Sequence, residues 1–225
     1  MNSTSNASTD ATAIPQLNYR RFRRPFDPRW RFMTGFTPSP RRVLDVGCGR
    51  GQTLQQFAEV YPGIELHGVD RMTETPAPIH YTRLDLDTEP LPYPDNYFDV
   101  IVMTHVIEHL CHPTFMAGEI GRVLAPGGWF YVEAPNWVAT VIPGATFWDN
   151  PTHVRPWSPN GFNSLLKDYA GLRVHAIGVR RHWVRLPVDF VRAVLAIIGI
   201  RSKAGGNSIR NVVGWSCFGI GQKPL

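Results

Sequence analysis

The sequence predicts a doubly wound α/β sheet, and three observations carry the prediction. A short apolar run at 43–46 (Val43, Leu44, Val46) stops at three glycines spaced two apart, Gly47, Gly49 and Gly51, and an amphipathic stretch over residues 53–60 follows. Strand, glycine loop and helix in that order let a ligand approach bare backbone above the first strand of such a sheet. Further apolar runs tipped with acids follow at regular intervals. The whole chain, 225 residues and 43% hydrophobic, can bury one substantial core.

The remaining elements follow in order. Residues 64–70 read as a second strand ending in Asp70, 19 residues after Gly51. A carboxylate at that tip can accept both hydroxyls of a ribose. Residues 81–85 give a third strand with Asp85 at its tip. Residues 91–99 (Leu-Pro-Tyr-Pro-Asp-Asn-Tyr-Phe-Asp) lead into a fourth strand, 100–103, ending at Met103. Residues 124–128 (Leu-Ala-Pro-Gly-Gly) form a turn before a fifth strand at 129–132, and residues 172–179 and 212–219 supply the sixth and seventh. The glycine spacing leaves Gln52 where the last glycine of Gly-x-Gly-x-x-Gly would stand, which departs from the dinucleotide fingerprint. Asp45, inside the end of the first strand, would repel a phosphate and welcome a cation.

In this ordered combination the chain resembles the class I S-adenosylmethionine-dependent methyltransferases, in the branch with a Leu-Pro-x-Pro-Asp-x-x-Phe-Asp signature. The resemblance covers roughly residues 40–180. It implies a Rossmann-like, seven-stranded, mostly parallel sheet and S-adenosyl-L-methionine as cofactor. By position, it implies that Asp45 and the glycines at 47, 49 and 51 face the methionine moiety and Asp70 the ribose. Asp85 and Leu86 would face the adenine, with Met103 a further cofactor contact. A nicotinamide-binding domain fits less well, because the glycine spacing and the Pro-Gly-Gly turn both argue against it.

Charge and composition divide the chain further. Residues 1–17 are polar, lack an apolar signal core and read as a disordered lead. Residues 18–40 form a basic aromatic arm. Between Tyr19 and Arg42 stand eight arginines and one acid, Asp27, interleaved with aromatics such as Phe22, Trp30 and Phe32. Arginines and aromatics together suit nucleic acid. The charge forms one arm and not a spread surface, which favours a segment folded over the cofactor mouth. Residues 41–225 form the methyltransferase domain, with an insert at about 181–211. Within it, residues 188–200 are apolar nearly all round, with basic flanks, and suit either a buried helix or one half sunk in an anionic membrane surface. No apolar run is long enough to span a bilayer. The three widely spaced cysteines suggest a reduced, cytoplasmic chain.

Two clusters are candidates for the chemistry. His105, Glu108 and His109 follow the fourth strand, and a helix from Val106 onward would align them on one face. Ubiquinone-pathway O-methyltransferases have a similar run, Glu, Glu and His at those offsets, that holds a divalent metal. Here His105 stands at the first of those positions, and hard cations want oxygen ligands. The expectation is therefore no metal, with His105, Glu108 and His109 as the alternative set. The second cluster, residues 147–156, contains Asp149, Thr152, His153 and Arg155 and resembles a segment of bacterial methyltransferases linked to surface-polysaccharide and lipid-glycan assembly. A histidine beside a carboxylate on a loop over the cofactor suits a general base. His153 is the first choice for it, His105 the second, with Asp149 as partner. A staple for the loop is the other reading of His153. Ser158 and Pro159 mark the cap and first turn of a following helix.

The expected activity is methyl transfer from S-adenosylmethionine to a sugar hydroxyl of a glycan or lipid-linked saccharide, with Trp137, Trp148 and Trp157 as stacking platforms. The alternatives are O-methylation of a small aromatic or polyketide metabolite, and a non-catalytic module that only binds the cofactor.

Overall fold

A computed structural model describes residues 27–72, 79–140, 147–181, 186–197 and 212–225. The expected lead at 1–17, the first part of the arm and most of the insert lie outside the described residues.

Helix α1 (Pro28–Thr34) begins where the Asp27 side chain accepts the Arg29 N–H at 2.9 Å and Pro28 takes the first turn. Strand β1 (Arg42–Val46), helix α2 (Gln52–Val60), strands β2 (Glu65–Asp70), β3 (His80–Arg83) and β4 (Phe98–Thr104), helix α3 (Pro113–Val123) and strand β5 (Leu124–Pro135) follow. The chain continues through a short helix α4 (Trp137–Thr140), α5 (Pro159–Ser164), β6 (Arg173–Arg180), α6 (Leu186–Ile197) and β7 (Ser216–Gln222). The seven strands form one sheet in the order β3-β2-β1-β4-β5-β7-β6. Strands β1 to β5 pair in parallel, and β7 runs antiparallel to both β5 and β6. Since β1 lies between β2 and β4, the chain changes direction of travel there, and a crevice opens beyond the carboxyl ends of β1 and β4.

Alternation along the central strands builds the two cores. Leu44, Val46, Ile101, Met103, Phe130 and Val132 pack one face against Ile120, Phe162 and Leu166. Val43, Val100, Val102 and Tyr131 point the other way, onto Leu54, Phe57 and the α1 residues Phe32 and Met33. Strands covered on both faces need apolar side chains at successive positions, which is why they read as continuous runs. The signature at 91–99 has its own physical role. Arg122 donates to the carbonyls of Leu91 and Tyr93 at 2.8 Å and pairs with Asp95, while Asp99 accepts the N–H groups of Arg41 and Arg42. That clamps the entry of β4 to the entry of β1.

Four boundaries differ from expectation. Residues 124–128, expected as a turn, belong to strand β5, which is irregular there, with Gly127 at φ +76 and a register shift against β4. The third strand ends at Arg83, and Asp85 lies in the turn that follows. The seventh strand starts at Ser216 instead of 212, because Gly214 adopts φ +88 and the Trp215 N–H turns onto the Arg180 carbonyl. The helix expected from Val106 is a single 3-10 turn, Ile107–His109. The Glu108 carbonyl, which a helix would use internally, instead accepts the N–H groups of Val154 and Arg155. Among the described residues no helix is long and apolar enough to cross a membrane.

Candidate active site

The glycine loop closes through backbone. The Gly47 and Cys48 N–H groups both donate to the Val69 carbonyl, at 2.8 and 3.1 Å. All three loop glycines have positive φ, but they serve different ends. A Cβ on Gly47 would sit 2.1 Å from Val106 Cγ2, and one on Gly51 2.2 Å from Ile79 Cδ1, so both are demanded by packing. A Cβ on Gly49 would meet nothing within 4 Å. Open space above a backbone turn of this kind is where a ligand lies close.

A cavity of about 350 Å³ occupies that space, lined by Asp45, Gly47, Gly49, Thr53, Met72 and Thr104 among others. Its size suits a small-molecule ligand of some tens of atoms. Asp45 is 2% exposed and its Oδ1 has no hydrogen-bond partner among the described residues. Burial raises its pKa to about 7, with Arg29 and Thr53 opposing and Asp70 adding to the rise. A buried carboxylate with one oxygen unpartnered is suited to receive a cation. Asp70 is held in advance: Oδ2 accepts the Gly49 N–H at 2.8 Å and Oδ1 accepts the Met72 N–H at 3.0 Å. Each oxygen keeps further acceptor capacity. The residues present therefore fit S-adenosylmethionine, whose cationic methionine end would lie over Asp45 and whose ribose would lie by Asp70.

The other expected cofactor residues sit differently. Asp85 is exposed, with Oδ1 accepting the Asp87 N–H, while Leu86 and Met103 bury their side chains in the core. Thr104, the next residue after Met103, lines the cavity, as does Arg29 from the basic arm. Neither was expected as a cofactor residue, although Arg29 belongs to the arm expected to fold over the cofactor mouth. A larger cavity of about 720 Å³, lined by Phe36, Asp99, Trp129 and His175, opens at the opposite end of the strands, away from the glycine loop.

A charged cluster surrounds His105. This residue adopts φ +57 directly after β4, and its ring lies between two acids: Nδ1 is 3.5 Å from Glu108 Oε1 and Nε2 is 3.5 Å from Glu133 Oε1. Burial works to lower its pKa, but the two carboxylates win and raise it to about 9. Burial also works to raise the Glu133 carboxyl, yet His105 and Arg180 hold it well below the usual range. Glu133 Oε1 accepts from Arg180 at 2.7 Å, and Arg180 continues to Asp27 of the arm through Nε at 3.1 Å. Glu133 and Arg180 escaped sequence analysis, although a lone acid inside the apolar run of β5 was a usable signal.

His153 sits across from His109, with ring centroids 4.7 Å apart. Its Nδ1 lies 2.6 Å from the Phe147 carbonyl, which can only accept, so Nδ1 carries the proton and Nε2 the lone pair. Nε2 has one long contact, 3.3 Å to the Asn150 amide. Asp149, expected as its partner, stands exposed on the same turn, and Asn150 and Phe147 hold the ring in its stead. Trp137 and Trp148 are exposed, whereas Trp157 is 8% exposed and stacks on Phe162. Trp157 is thus core and not a platform. The run of His105, Glu108 and His109 is divided: His105 stays between Glu108 and Glu133, and His109 turns to Thr152 and His153.

Comparison with known proteins agrees with this geometry. A family model described as a methyltransferase domain matches residues 17–177. A probable S-adenosylmethionine-dependent methyltransferase of Mycolicibacterium smegmatis is 36% identical over 137 residues, 60% of this chain and 52% of the relative. One from Mycobacterium tuberculosis is 32% identical over 142 residues, 62% and 52% of the two chains. The chain thus spans about half the length of these curated relatives. Among solved structures, an S-adenosylmethionine-dependent methyltransferase from Archaeoglobus fulgidus superposes with a TM-score of 0.62 at 24% identity, covering 87% of this chain and 91% of that one. Another from Mesorhizobium loti gives 0.61 at 13% identity, covering 87% and 97%. With the methyltransferase-domain model matched over residues 17–177 and a seven-stranded sheet of the same fold as these solved methyltransferases, the chain belongs to the class I S-adenosylmethionine-dependent methyltransferases, with S-adenosylmethionine as its cofactor.

Proposed function

We propose that the protein transfers a methyl group to a hydroxyl oxygen of a saccharide, free or lipid-linked. The observation that carries the proposal is the cation-receptive cavity at Asp45, and the base assignment rests on His153, whose Nδ1 is engaged by the Phe147 carbonyl so that Nε2 faces away from it. S-adenosylmethionine, when bound, supplies an activated methyl carbon on a sulfonium. Asp45 and Asp70 would hold its methionine and ribose parts, which would orient it for transfer. His153 Nε2 takes the hydroxyl proton as the new carbon–oxygen bond forms and the sulfur–carbon bond breaks. His105 does not suit that task, since its two carboxylate neighbours keep it protonated near neutral pH. The exposed rings of Trp137 and Trp148 support a saccharide acceptor by offering flat apolar faces near the loop.

Helix α6 supports a lipid-linked acceptor. Val188, Phe190, Val191 and Val194 are exposed, while Asp189 and Ala193 turn inward. An apolar face turned outward with arginines at 181, 185 and 201 nearby in sequence suits an anionic lipid surface. The working location is accordingly the cytoplasmic face of a membrane, with nucleic acid not a partner.

Release of S-adenosylhomocysteine over a panel of saccharide, lipid-linked saccharide and phenolic acceptors tests the proposal. Turnover with a saccharide, lowered by about 10²–10⁴ in kcat in His153→Ala with cofactor affinity retained, is the expected result. Turnover only with phenolic acceptors overturns the substrate class, and full activity of His153→Ala overturns the base.

A further inference from the structure

Glu108, His109 and His153 come from two loops that are 44 residues apart in sequence, and each offers a ligand atom within 4.8 Å of the other two. We propose that this cluster is a metal site for a first-row transition dication such as zinc, bound by the Glu108 carboxylate and Nε2 of both histidines. The inference does not rest on the methyltransferase reading, and it competes with the base role given there to His153, since one Nε2 cannot serve both.

Three features support a built site. Glu108 is 1% exposed, and its Oε2 has no hydrogen-bond partner among the described residues. A buried carboxylate oxygen without a donor costs free energy that a cation would recover. The histidines are oriented by their other nitrogens. His109 Nδ1 lies 3.1 Å from the Thr152 carbonyl and 2.9 Å from Thr152 Oγ1, and that hydroxyl in turn donates to Asn150 Oδ1 at 2.8 Å. His153 Nδ1 faces the Phe147 carbonyl at 2.6 Å. Both rings therefore carry their proton on Nδ1, which frees Nε2 in each. Fixing a histidine tautomer through a backbone carbonyl is how metal ligands are held. The ion has one contact to displace, the 3.3 Å approach of the Asn150 amide to His153.

The donor set decides the metal. Two imidazole nitrogens and one carboxylate suit a borderline dication and poorly suit magnesium or calcium, which take oxygen ligands. Zinc–ligand bonds of about 2.0–2.2 Å place ligands roughly 3.3 Å apart in a tetrahedral shell, so closure asks for side-chain movement on the order of 1 Å. Three protein ligands leave a position open, as in sites that bind an exchangeable group. None of the three residues lines the cofactor cavity. Val106, two residues before Glu108, packs against Gly47, so the ion would lie beside the cofactor loop. With an ion bound, His153 Nε2 becomes a ligand and is no longer free to act as a base.

The test uses the full chain without a polyhistidine tag, stripped with chelator and titrated with zinc by calorimetry and with cobalt by visible absorption. One equivalent should bind, with a tetrahedral cobalt spectrum. His109→Ala and His153→Ala should each weaken binding at least tenfold, as should Glu108→Gln if it folds. His175→Ala, at the opposite end of the strands, should bind as the wild type. Absence of stoichiometric binding, or unchanged affinity in both histidine variants, overturns the site. Methyl transfer measured on the same stripped chain keeps the two readings apart: zinc bound without turnover counts against the methyltransferase proposal, and turnover without zinc binding counts against the metal.

Discussion

The Gly49 N–H donates to Asp70 Oδ2 at 2.8 Å, so the loop after β1 and the tip of β2 form one unit before any ligand arrives. Asp70→Ala removes that tie together with the expected acceptor for the ribose hydroxyls. Hydrogen bonds to a charged group contribute about 1.5–3 kcal/mol. Calorimetric titration of the folded variant should show S-adenosylmethionine bound roughly ten- to a hundredfold more weakly.

The loop glycines should separate stability from binding. At Gly47 a methyl group would meet Val106 at 2.1 Å on a backbone with φ +77, so Gly47→Ala should lower stability by about 1–3 kcal/mol. Gly49→Val places a branched side chain in open space that the cofactor needs. It should abolish binding, and since the φ of +50 there also strains any side chain, the test is cofactor binding lost in a chain that still melts cooperatively. Paired thermal melts and cofactor titrations distinguish the two positions.

Asp45 gives the site a pH dependence. Its folded-state pKa of about 7 lies above the ordinary carboxyl value, so the charged form is the disfavoured one in the free protein. Between the ordinary carboxyl value and about pH 7 the unfolded chain is ionised at this group and the folded chain is not, so the free protein loses stability from it as pH rises to about 7, and the loss levels off above. A cationic ligand binds that charged form. Affinity for S-adenosylmethionine should therefore climb between about pH 6 and 8 and level off above. In Asp45→Asn the affinity should be lower and nearly flat across that range. A flat wild-type profile would remove Asp45 from the cation-binding role.

Thiol reactivity should follow burial. Cys48 and Cys217 are buried, and burial pushes both thiols up to about 12, whereas Cys111 is exposed. A thiol reagent at pH 8 should modify Cys111 first in the folded chain, with Cys48 and Cys217 reacting only on unfolding.

The architecture was legible because its signals are local. Val43 to Val46, the glycine triplet and the following amphipathic turn lie within twenty residues, and each dictates a backbone conformation. Asp45 and Asp70 were readable for the same reason, as acids at strand ends. The acceptor side was not, because it depends on contacts between distant segments. Nothing near His109 announces His153, and nothing near His153 says that Phe147 and Asn150 will hold it in place of Asp149. A periodic pattern also misleads where tertiary bonds intervene: the Glu108 carbonyl is claimed by Val154, so the expected helix stops after one turn. Trp157 looked like Trp148 in sequence, and only the packing on Phe162 assigns it to the core.

Helix α6 should bind anionic lipid. Sedimentation with vesicles containing phosphatidylserine should pull the protein down at low salt and release it at high salt. Phe190→Ser with Val194→Ser, both at exposed positions, should abolish pelleting with the melting temperature unchanged. Wild-type protein that stays in the supernatant at every salt concentration would favour a freely diffusing acceptor.

The central claim is that the cavity above Gly49 holds S-adenosylmethionine for methyl transfer, and transfer of a radiolabelled methyl group tests it most directly. The full chain, incubated with methyl-labelled S-adenosylmethionine and a bacterial lipid-glycan extract, should move label into the glycan fraction and release one S-adenosylhomocysteine per methyl. Asp70→Ala should reduce the rate at limiting cofactor by at least tenfold. A folded wild-type chain that binds neither S-adenosylmethionine nor S-adenosylhomocysteine, and moves no label into any acceptor, would contradict the account.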